Sequence, residues 1–319
     1  MTLSRRGLLG AGLALPALLC PCQAFAEQFA GTYRPRAEPV AEGIWLVRGV
    51  DEPIAFANGG AIANTAILAT AEGPVLFDAG VSLAHGQALA ALAKSLTGKP
   101  VARVFISHLH PDHAMGAAAF DPAMIHALPA TRADLERDGE GFSDAMYRLL
   151  ADWMKNTHVA LPQGDLAQGA LTVGGRPLRL LALKGHSGGD LAVLDETTGT
   201  LIAGDLVFHN RAPSTPHADL PAWRASLDTL TAIPHRALIP GHGPLDTSGQ
   251  GIAQTRDWLG WVEDTLRRAV NTGLDMTEAG EMPIPDRFAA LKSARYELQR
   301  SVSHFYPALE AELLPRTSP

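Results

Sequence analysis

Four side chains that can bind a metal ion lie within six residues of one another in this sequence. They are His108, His110, Asp112 and His113. The β-branched and aromatic residues at 104–106 predict a short buried strand directly before them. Because side chains alternate along an extended chain, we expect His108 and His110 to point to the same side.

Pro111 predicts a turn or the first position of a helix after this strand. Asp112 and His113 would then lie in a first helical turn and face the same space from another direction. Imidazole and carboxylate groups are ligands that suit zinc, and also iron or manganese. The chain has 12 histidines in 319 residues. So dense a cluster therefore favours a metal site over isolated surface or core histidines.

Three more predicted strands end in a residue of the same kind. The strands and residues are 178–183 with His186, 201–203 with Asp205, and 237–239 with His242. In α/β proteins the ligand site lies beyond the carboxyl ends of the strands. Glycines at positions 185, 204, 241 and 243 permit the tight turns that converging loops need. We therefore expect all of these side chains to meet at one site.

The composition predicts a globular chain with a large core. Hydrophobic residues make up 46% and charged residues 18% of the 319 residues, which suits one large domain or two closely packed halves. The formal net charge of −7 leaves no basic footprint for nucleic acid. We therefore expect a small-molecule substrate.

The first 26 residues resemble an export signal. A short positive segment precedes an apolar stretch at 7–19 that is too short to span a membrane, and Ala24-Phe25-Ala26 is a cleavage site. Ser4-Arg5-Arg6 resembles a twin-arginine signal, with an ordinary secretory signal as the alternative. We expect a periplasmic protein cleaved near Ala26, with no lipid anchor at Cys20.

Both cysteines of the chain, Cys20 and Cys22, lie inside this signal. The mature protein would then contain no disulfide and no thiolate ligand. Every metal ligand must therefore be histidine, aspartate or glutamate.

Hydrophobic periodicity predicts an alternation of strands and helices along the rest of the chain. Further strands are predicted at 44–47, 61–69, 75–77, 124–127 and 191–194, with helices at 83–96, 114–120, 144–156 and 219–230. After residue 250 the pattern is helical, with interruptions at Pro283 and Pro285. For Met146, Tyr147, Trp153 and Met154 we favour core packing over a substrate lid.

The motifs resemble those of the metallo-β-lactamase superfamily over about residues 40–247. The matching stretches are His108-Leu109-His110-Pro111-Asp112-His113, Gly185-His186-Ser187-Gly188, Ala203-Gly204-Asp205 and Pro240-Gly241-His242-Gly243. The resemblance implies an αββα sandwich at 27–250, with a C-terminal helical extension at 251–319. It also implies one zinc ion on His108, His110 and His186, a second on Asp112, His113 and His242, and Asp205 bridging both. Iron and manganese are the alternatives to zinc.

Three further stretches resemble an exported branch named quinoprotein relay system zinc metallohydrolase. They are 56–60, 204–209 and 212–220, and the C-terminal helical part is also similar. This resemblance implies a link to a periplasmic quinoprotein dehydrogenase system. It identifies no substrate. His110 stands where the flavodiiron branch needs glutamate, and the cysteine-dependent lactamases need a thiolate that the mature chain lacks.

Two divalent ions about 3.5–4 Å apart can lower the pKa of a shared water to about 7 and polarise a carbonyl group. We therefore expect a hydrolase that cleaves an ester, thioester, lactone or lactam, with Asp112 or Asp205 accepting the proton. The alternatives are a β-lactamase proper and a non-hydrolytic relay or maturation factor. Asp78 is either a carboxylate that orients a ligating imidazole or a turn residue.

Three loops are predicted to shape the substrate pocket: 51–64, 147–158 and 207–220. The last of these contains His209, Arg211 and His217. These side chains either contact substrate or form hydrogen bonds within a proline-rich loop.

Overall fold

Two β-sheets packed face to face form the centre of the molecule. The computed structural model describes residues 31–313, so the predicted signal at 1–26 and both cysteines lie outside them. Apolar side chains of both sheets, such as Phe77 and Phe105 from one and Leu191 and Ile202 from the other, share one buried cluster. The predicted alternation of strands and turns therefore encloses a core between the sheets.

The first sheet has the order β1-β2-β3-β4-β5-β6-β7, antiparallel from β1 to β4 and parallel from β4 to β7. Its strands are β1 Ala37–Ala41, β2 Ile44–Val47, β3 Thr65–Leu68, β4 Val75–Phe77, β5 Arg103–Ile106, β6 Ile125–Ala127 and β7 Gly164–Asp165. Strands β4 and β5 carry an unbroken run of buried apolar residues, as expected for strands covered on both faces.

The second sheet has the order β12-β11-β10-β9-β8, in which β11 and β12 are parallel and the other pairs antiparallel. Its strands are β8 Gly169–Val173, β9 Arg176–Leu183, β10 Asp190–Asp195, β11 Thr200–Phe208 and β12 Ala237–His242. All residues of β10 and β11 are buried.

Helices cover the outer face of each sheet. They are α1 Leu83–Thr97, α2 Pro111–Ala114, α3 Pro129–Leu150, α4 Leu220–Thr231, α5 Gly251–Asn271, α6 Met276–Gly280 and α7 Ala294–Leu313, with 3-10 turns at Phe56–Asn58, Met115–Ala119, Pro122–Met124, Ala151–Met154 and Asp286–Phe288. Leu89 of α1 packs with the first sheet, whereas Trp223 of α4 and Trp258 of α5 pack with the second. This layering confirms the predicted αββα sandwich, and α5 to α7 confirm the C-terminal helices.

Three predicted segments outside the ligand loops differ from the structure. The strand expected at 61–69 is limited to β3, because the side chain of Asn64 donates to the backbone at the end of β12 and just beyond it. The helix expected at 144–156 begins at Pro129, a residue suited to a first helical turn. The helix expected at 114–120 is a 3-10 turn, in which Gly116 lies so close to Ala79 that a Cβ would be 1.9 Å from its carbonyl oxygen.

Within residues 31–313, no helix combines the length and the apolar character that crossing a membrane would require.

Candidate metal centre

The segment after β5 places four of the predicted ligands. His108 and His110 lie beyond the end of the strand, and His110 caps α2, which has Pro111 at its first position. Asp112 and His113 occupy the first turn of that helix, as predicted. The rings of His108 and His110 are 4.8 Å apart between centroids, so both imidazoles face the same space.

The second sheet supplies the other three predicted ligands. His186 follows β9, and His242 is the last residue of β12. The prediction that Asp205 ends a strand is wrong, because β11 continues to Phe208. The register between β11 and β12 shifts on both sides of Gly204, which has a φ of 52°. Such a bulge redirects the following side chain, and Asp205 reaches the site from within the strand.

Three imidazole nitrogens of the first ligand set converge on one point. Nδ1 of His110 lies 3.0 Å from Nε2 of His108 and 2.8 Å from Nε2 of His186. Oδ2 of Asp205 lies 3.3 Å from Nε2 of His186 and 3.7 Å from Nε2 of His108. All four residues are buried.

A second set of ligand atoms lies beside the first. Nε2 of His113 lies 3.3 Å from Nε2 of His242. Oδ2 of Asp112 lies 3.4 Å from Nε2 of His242 and 3.8 Å from Nε2 of His113. The structure therefore brings together all seven predicted site residues, in two sets whose composition matches the predicted sharing of ligands.

Asp205 joins the two sets through its two oxygens. While Oδ2 faces His186, Oδ1 lies 3.1 Å from Nε2 of His113 and 3.4 Å from Nε2 of His242. Gly241 leaves room for this carboxylate, because a Cβ there would lie 1.9 Å from Oδ1. The arrangement is that of a carboxylate between two cation positions.

In the second set, the outer nitrogens of both imidazoles face oxygen atoms. Nδ1 of His113 lies 2.7 Å from Oδ2 of Asp78, and Nδ1 of His242 lies 2.9 Å from the carbonyl oxygen of Ile62. Since these oxygens accept hydrogen bonds, each Nδ1 carries a proton, and in the neutral form of each ring Nε2 presents the lone pair. Asp78 therefore orients a ligating imidazole, the first of its two predicted roles.

Ser107 extends this arrangement to His108. Its hydroxyl donates to Oδ2 of Asp78 at 2.9 Å and lies 2.8 Å from Nδ1 of His108. Because the single hydroxyl proton is given to Asp78, the serine oxygen accepts from Nδ1 of His108. The lone pair of His108 is then on Nε2, which faces the first ligand set.

Burial and neighbouring charges set the protonation of the cluster. Burial lowers the pKa of His108 and of His110 well below the ordinary value, and that of His186 to about 4. His113 is also buried, but the carboxylates around it, first among them Asp205, raise its pKa well above the ordinary value. Three imidazoles are therefore neutral, the form in which histidine binds a metal ion.

The donor atoms fit a pair of metal ions. The ring nitrogens of His108, His110 and His186 face one another at hydrogen-bond distance, but neutral rings cannot supply a proton to each of these contacts. Among residues 31–313, Oδ1 of Asp205 is also buried without an aligned hydrogen bond. A cation in each set would satisfy these lone pairs. The clusters are thus consistent with the dinuclear centre that was predicted.

The sequence pattern of the metallo-beta-lactamase superfamily matches residues 58–242, more than half of the chain. The chain belongs to the metallo-β-lactamase superfamily. This membership confirms the predicted class of protein, a metal-dependent hydrolase of that superfamily.

Solved metallo-β-lactamases share the fold. The enzyme from Pontibacter korlensis aligns with a TM-score of 0.59 and 18% identity, covering 71% of this chain and 99% of that one. FIM-1 from Pseudomonas aeruginosa, solved in a mono-zinc form, aligns with a TM-score of 0.57 and 16% identity, covering 72% and 96%.

The linear primary-alkylsulfatase of Pseudomonas sp. (strain ATCC 19151) is 22% identical over 275 residues. The match covers 73% of this chain and 52% of the relative, so the chain spans about half the length of the curated relative it matches.

Two residues that hold the ligand loops of this superfamily member were missed from the sequence. Asn64 donates to the carbonyl oxygens of Pro240 and Gly243, at 2.9 and 2.8 Å, on either side of His242. Asp190 accepts from the backbone N–H of His186 at 3.0 Å. Asp190 lies two residues after the His186 motif and so gives a local signal. Asn64 acts across the fold and leaves no local signal.

Of the three predicted pocket residues in the loop between β11 and α4, only His217 lies beside the metal centre. Nδ1 of His217 lies 3.1 Å from Nε2 of His110, beside the metal centre. Arg211 is instead buried against Glu297 of α7 at 3.2 Å, and Nδ1 of His209 lies 3.1 Å from the carbonyl oxygen of Pro244. His209 and Arg211 therefore have structural contacts, but these partners lie outside the loop rather than within it as predicted.

Only some of the side chains predicted to pack in the core near the end of α3 and in the following 3-10 turn are buried. Met146 and Met154 are buried in a cluster with Val81, Met115 and Leu150, in agreement with core packing. Tyr147 is 40% exposed, and Trp153 only packs against the edge of that cluster.

Proposed function

We propose that this protein is a dinuclear zinc hydrolase that cleaves an ester, thioester, lactone or lactam bond. The observation that carries the proposal is the position of Asp205, whose two oxygens face the two sets of ligand atoms. A centre with this donor set suits zinc, because imidazole and carboxylate are its ordinary ligands where no thiolate is present.

The seven residues would bind two metal ions and act on a bound water. His108, His110 and His186 would hold one ion, Asp112, His113 and His242 the other, and Asp205 both. When bound, such a pair supplies Lewis acidity and lowers the pKa of a bound water toward neutrality. Asp112, a member of the second set with 7% of its surface exposed, would orient the water and accept its proton. Asp205 is the alternative acceptor.

The bond that is cleaved is tested with a panel of compounds. The panel contains esters, thioesters, lactones and β-lactams, and also a primary alkyl sulfate because the curated relative is named for that activity. Purified mature protein should carry close to two zinc ions per chain and hydrolyse at least one class. His108→Ala should abolish this activity, whereas Asp228→Asn, at an exposed position of α4, should leave it intact.

Three outcomes would change the proposal. One tightly bound iron and no zinc would favour a dioxygenase. Two zinc ions with no turnover of any compound in the panel would favour the alternative, a non-hydrolytic relay or maturation factor. Turnover of β-lactams above all other classes would make the protein a β-lactamase proper.

We also propose that the protein is exported to the periplasm and serves a quinoprotein dehydrogenase system. The support is the twin-arginine-like segment around Arg5-Arg6 and the similarity of 204–209 and 212–220 to the exported branch. A protein that folds and binds metal before export is suited to the twin-arginine route.

Export is tested by changing Arg5 and Arg6 together to lysine. The precursor should then stay in the cytoplasm, as measured by fractionation and immunoblot. Normal periplasmic accumulation of the double variant would indicate an ordinary secretory signal. For the quinoprotein link, deletion of the gene should lower quinoprotein dehydrogenase activity in periplasmic extracts, and unchanged activity would contradict the link.

A further inference from the structure

The C-terminal helix α7 is bound to the loop that reaches the metal centre. Arg211 pairs with Glu297 at 3.2 Å, and the hydroxyls of Thr215 and Ser301 lie 2.8 Å apart. Residues four apart in a helix share a face, so one side of α7 lies along this loop. The helix therefore contributes to the surroundings of the metal centre although its residues lie outside the matched family region.

The same face of α7 continues toward the predicted ligands. The rings of His304 and His217 are 6.5 Å apart, and His217 in turn lies 3.1 Å from Nε2 of His110. His217 has a φ of 77°, a left-handed conformation that costs a histidine free energy and marks positions under constraint. The loop is thus held with His217 between the helix and the metal centre.

A cavity of about 340 Å³ opens beside this contact. Its walls are formed by one loop residue and five residues of α7, namely Pro216, Tyr296, Gln299, Arg300, Ser303 and His304. None of these lining residues carries a carboxylate, in a chain whose formal net charge is −7. The cavity therefore presents donors and positive charge.

Arg300 supplies that charge. Glu297 is fully buried and pairs with two guanidinium groups, those of Arg211 and Arg300, each at 3.2 Å. One carboxylate between two guanidinium groups leaves one positive charge in excess. Since Arg211 is buried whereas the side chain of Arg300 is 37% exposed, the excess charge is available at Arg300.

The guanidinium of Arg300 is held but not saturated. Its Nη1 donates to Oγ of Ser214 at 2.7 Å and to Glu297, and its Cζ lies 5.6 Å from the ring centroid of Tyr296. Within residues 31–313 these bonds leave Nη2 and Nε without a partner. A guanidinium edge of this kind binds a planar or tetrahedral oxyanion through two hydrogen bonds.

We propose that Arg300 binds an oxyanion group of the substrate, so that the compound hydrolysed at the metal centre carries a carboxylate or a sulfonate-like group away from the scissile bond. This inference rests on the proposed hydrolytic function. His304 lines the cavity, its ring lies 6.5 Å from that of His217, and His217 contacts His110. A substrate whose oxyanion is bound by Arg300 would therefore extend past these two rings toward the metal centre.

The test compares one ester with and without a negative charge. The substrates are 4-nitrophenyl hydrogen adipate and its methyl ester, and the readout is the ratio of their kcat/KM values for the zinc-loaded protein. The wild-type ratio should favour the acid, and Arg300→Gln should lower that ratio roughly tenfold to a hundredfold, as expected for a charge-assisted hydrogen-bond pair. Arg300→Lys keeps the charge but not the paired N–H donors of the guanidinium, and its ratio should lie between those of the wild type and Arg300→Gln.

Two further variants test whether the preference for the acid depends on Arg300 itself rather than on the net charge or on a neighbouring hydrogen bond. Arg267→Gln removes a positive charge from the surface of α5, where Arg267 pairs with Glu312, and should keep the wild-type ratio. Ser214→Ala removes the hydrogen bond to Nη1 but keeps Arg300, and should also keep a preference for the acid. Zinc content and thermal unfolding of every variant show whether the fold and the metal centre are intact.

Inhibition identifies the oxyanion and does not depend on which ester is cleaved. Hexanoate and hexane-1-sulfonate should inhibit more strongly than hexanamide, and Arg300→Gln should remove that difference. The stronger of the two anions indicates the natural group. Turnover of both adipates with a ratio that Arg300→Gln leaves unchanged would overturn the inference alone. If neither adipate is cleaved, inhibitor binding measured by calorimetry decides it: equal affinity of wild type and Arg300→Gln for both anions overturns it.

Discussion

Oδ2 of Asp78 lies 2.7 Å from Nδ1 of His113, on the side of the imidazole that faces away from the metal centre. Asp78 follows β4 in a left-handed conformation, with a φ of 69°, and its Oδ1 accepts from the backbone N–H of Ser107 at 2.8 Å. The carboxylate is thus fixed from two sides. It sets both the orientation of His113 and the nitrogen that is free to bind a cation.

Replacing Asp78 by asparagine should weaken the second metal position. The asparagine keeps the size of the side chain but removes the charge that makes His113 a better ligand, so affinity for that ion should fall roughly tenfold to a hundredfold. The measurement is zinc competition against a chromophoric chelator. Asp165→Asn, at an exposed position of β7, is the control, and equal affinity of the two variants would show that Asp78 is only a turn residue.

Asp205→Asn should reduce the metal content from two ions to one. The variant keeps the shape of the side chain but leaves two cations facing each other with less negative charge between them. The position formed by His108, His110 and His186 should stay occupied, because three imidazoles make a competent site by themselves. Elemental analysis after dialysis gives the count. Two ions bound with unchanged affinity would mean that Asp205 is not a ligand.

Most of the metal centre could be predicted because its residues lie next to recognisable strands. The segment from His108 to His113 is continuous in sequence, and Pro111 marks the start of α2. The sequence predicts Asp205 at a strand end because Gly204 interrupts the apolar run at 201–203. In the structure that glycine forms a bulge instead, a feature that depends on pairing with β12.

What could not be predicted depends on contacts between distant parts of the chain. Asn64 donates a hydrogen bond to the carbonyl oxygen of Pro240, which lies 176 residues later in the sequence and next to the loop of His242. The role of Arg211 depends on Glu297, 86 residues later. Periodicity and turn signals report only local structure, so the partners of these buried polar groups become visible only once the sheets and helices are packed.

Stability should fall at acidic pH because of His85. This residue of α1 is stacked on Tyr33, with ring centroids 4.4 Å apart, and burial lowers its pKa to about 4. The unfolded chain, in which the pKa is about 6.5, binds the proton more readily. Stability linked to His85 is therefore complete above about pH 6.5 and is lost as the pH falls toward 4, by up to about 3 kcal/mol.

The contribution of His85 is measured as a difference between proteins. Urea unfolding of the wild type and of His85→Phe between pH 4.5 and 7.5 should show a flatter dependence on pH for the variant, which keeps a ring against Tyr33. Both proteins share the metal ligands, so loss of metal in acid affects them alike. His158→Phe, at an exposed position, controls for the loss of a histidine. Parallel curves for wild type and His85→Phe would contradict the assignment.

The buried pair of Arg211 and Glu297 should stabilise the loop between β11 and α4 against the C-terminal helix α7. Both side chains are almost completely buried, and they lie 3.2 Å apart. Glu297→Gln leaves the charge of Arg211 without a counter-charge in the core, which typically costs about 3–5 kcal/mol. Replacement of both partners, in Arg211→Met with Glu297→Leu, removes the unpaired charge and should recover most of that loss.

The measurement is the free energy of unfolding in urea, with Glu310→Gln at an exposed position of α7 as the matched control. Because the loop from Arg211 to His217 is bound to α7, Glu297→Gln should also lower kcat/KM while the zinc content stays near two. A double variant as unstable as Glu297→Gln would show that packing, rather than the buried charge, holds the helix against the loop. A fully stable Glu297→Gln would show that Arg211 finds another partner.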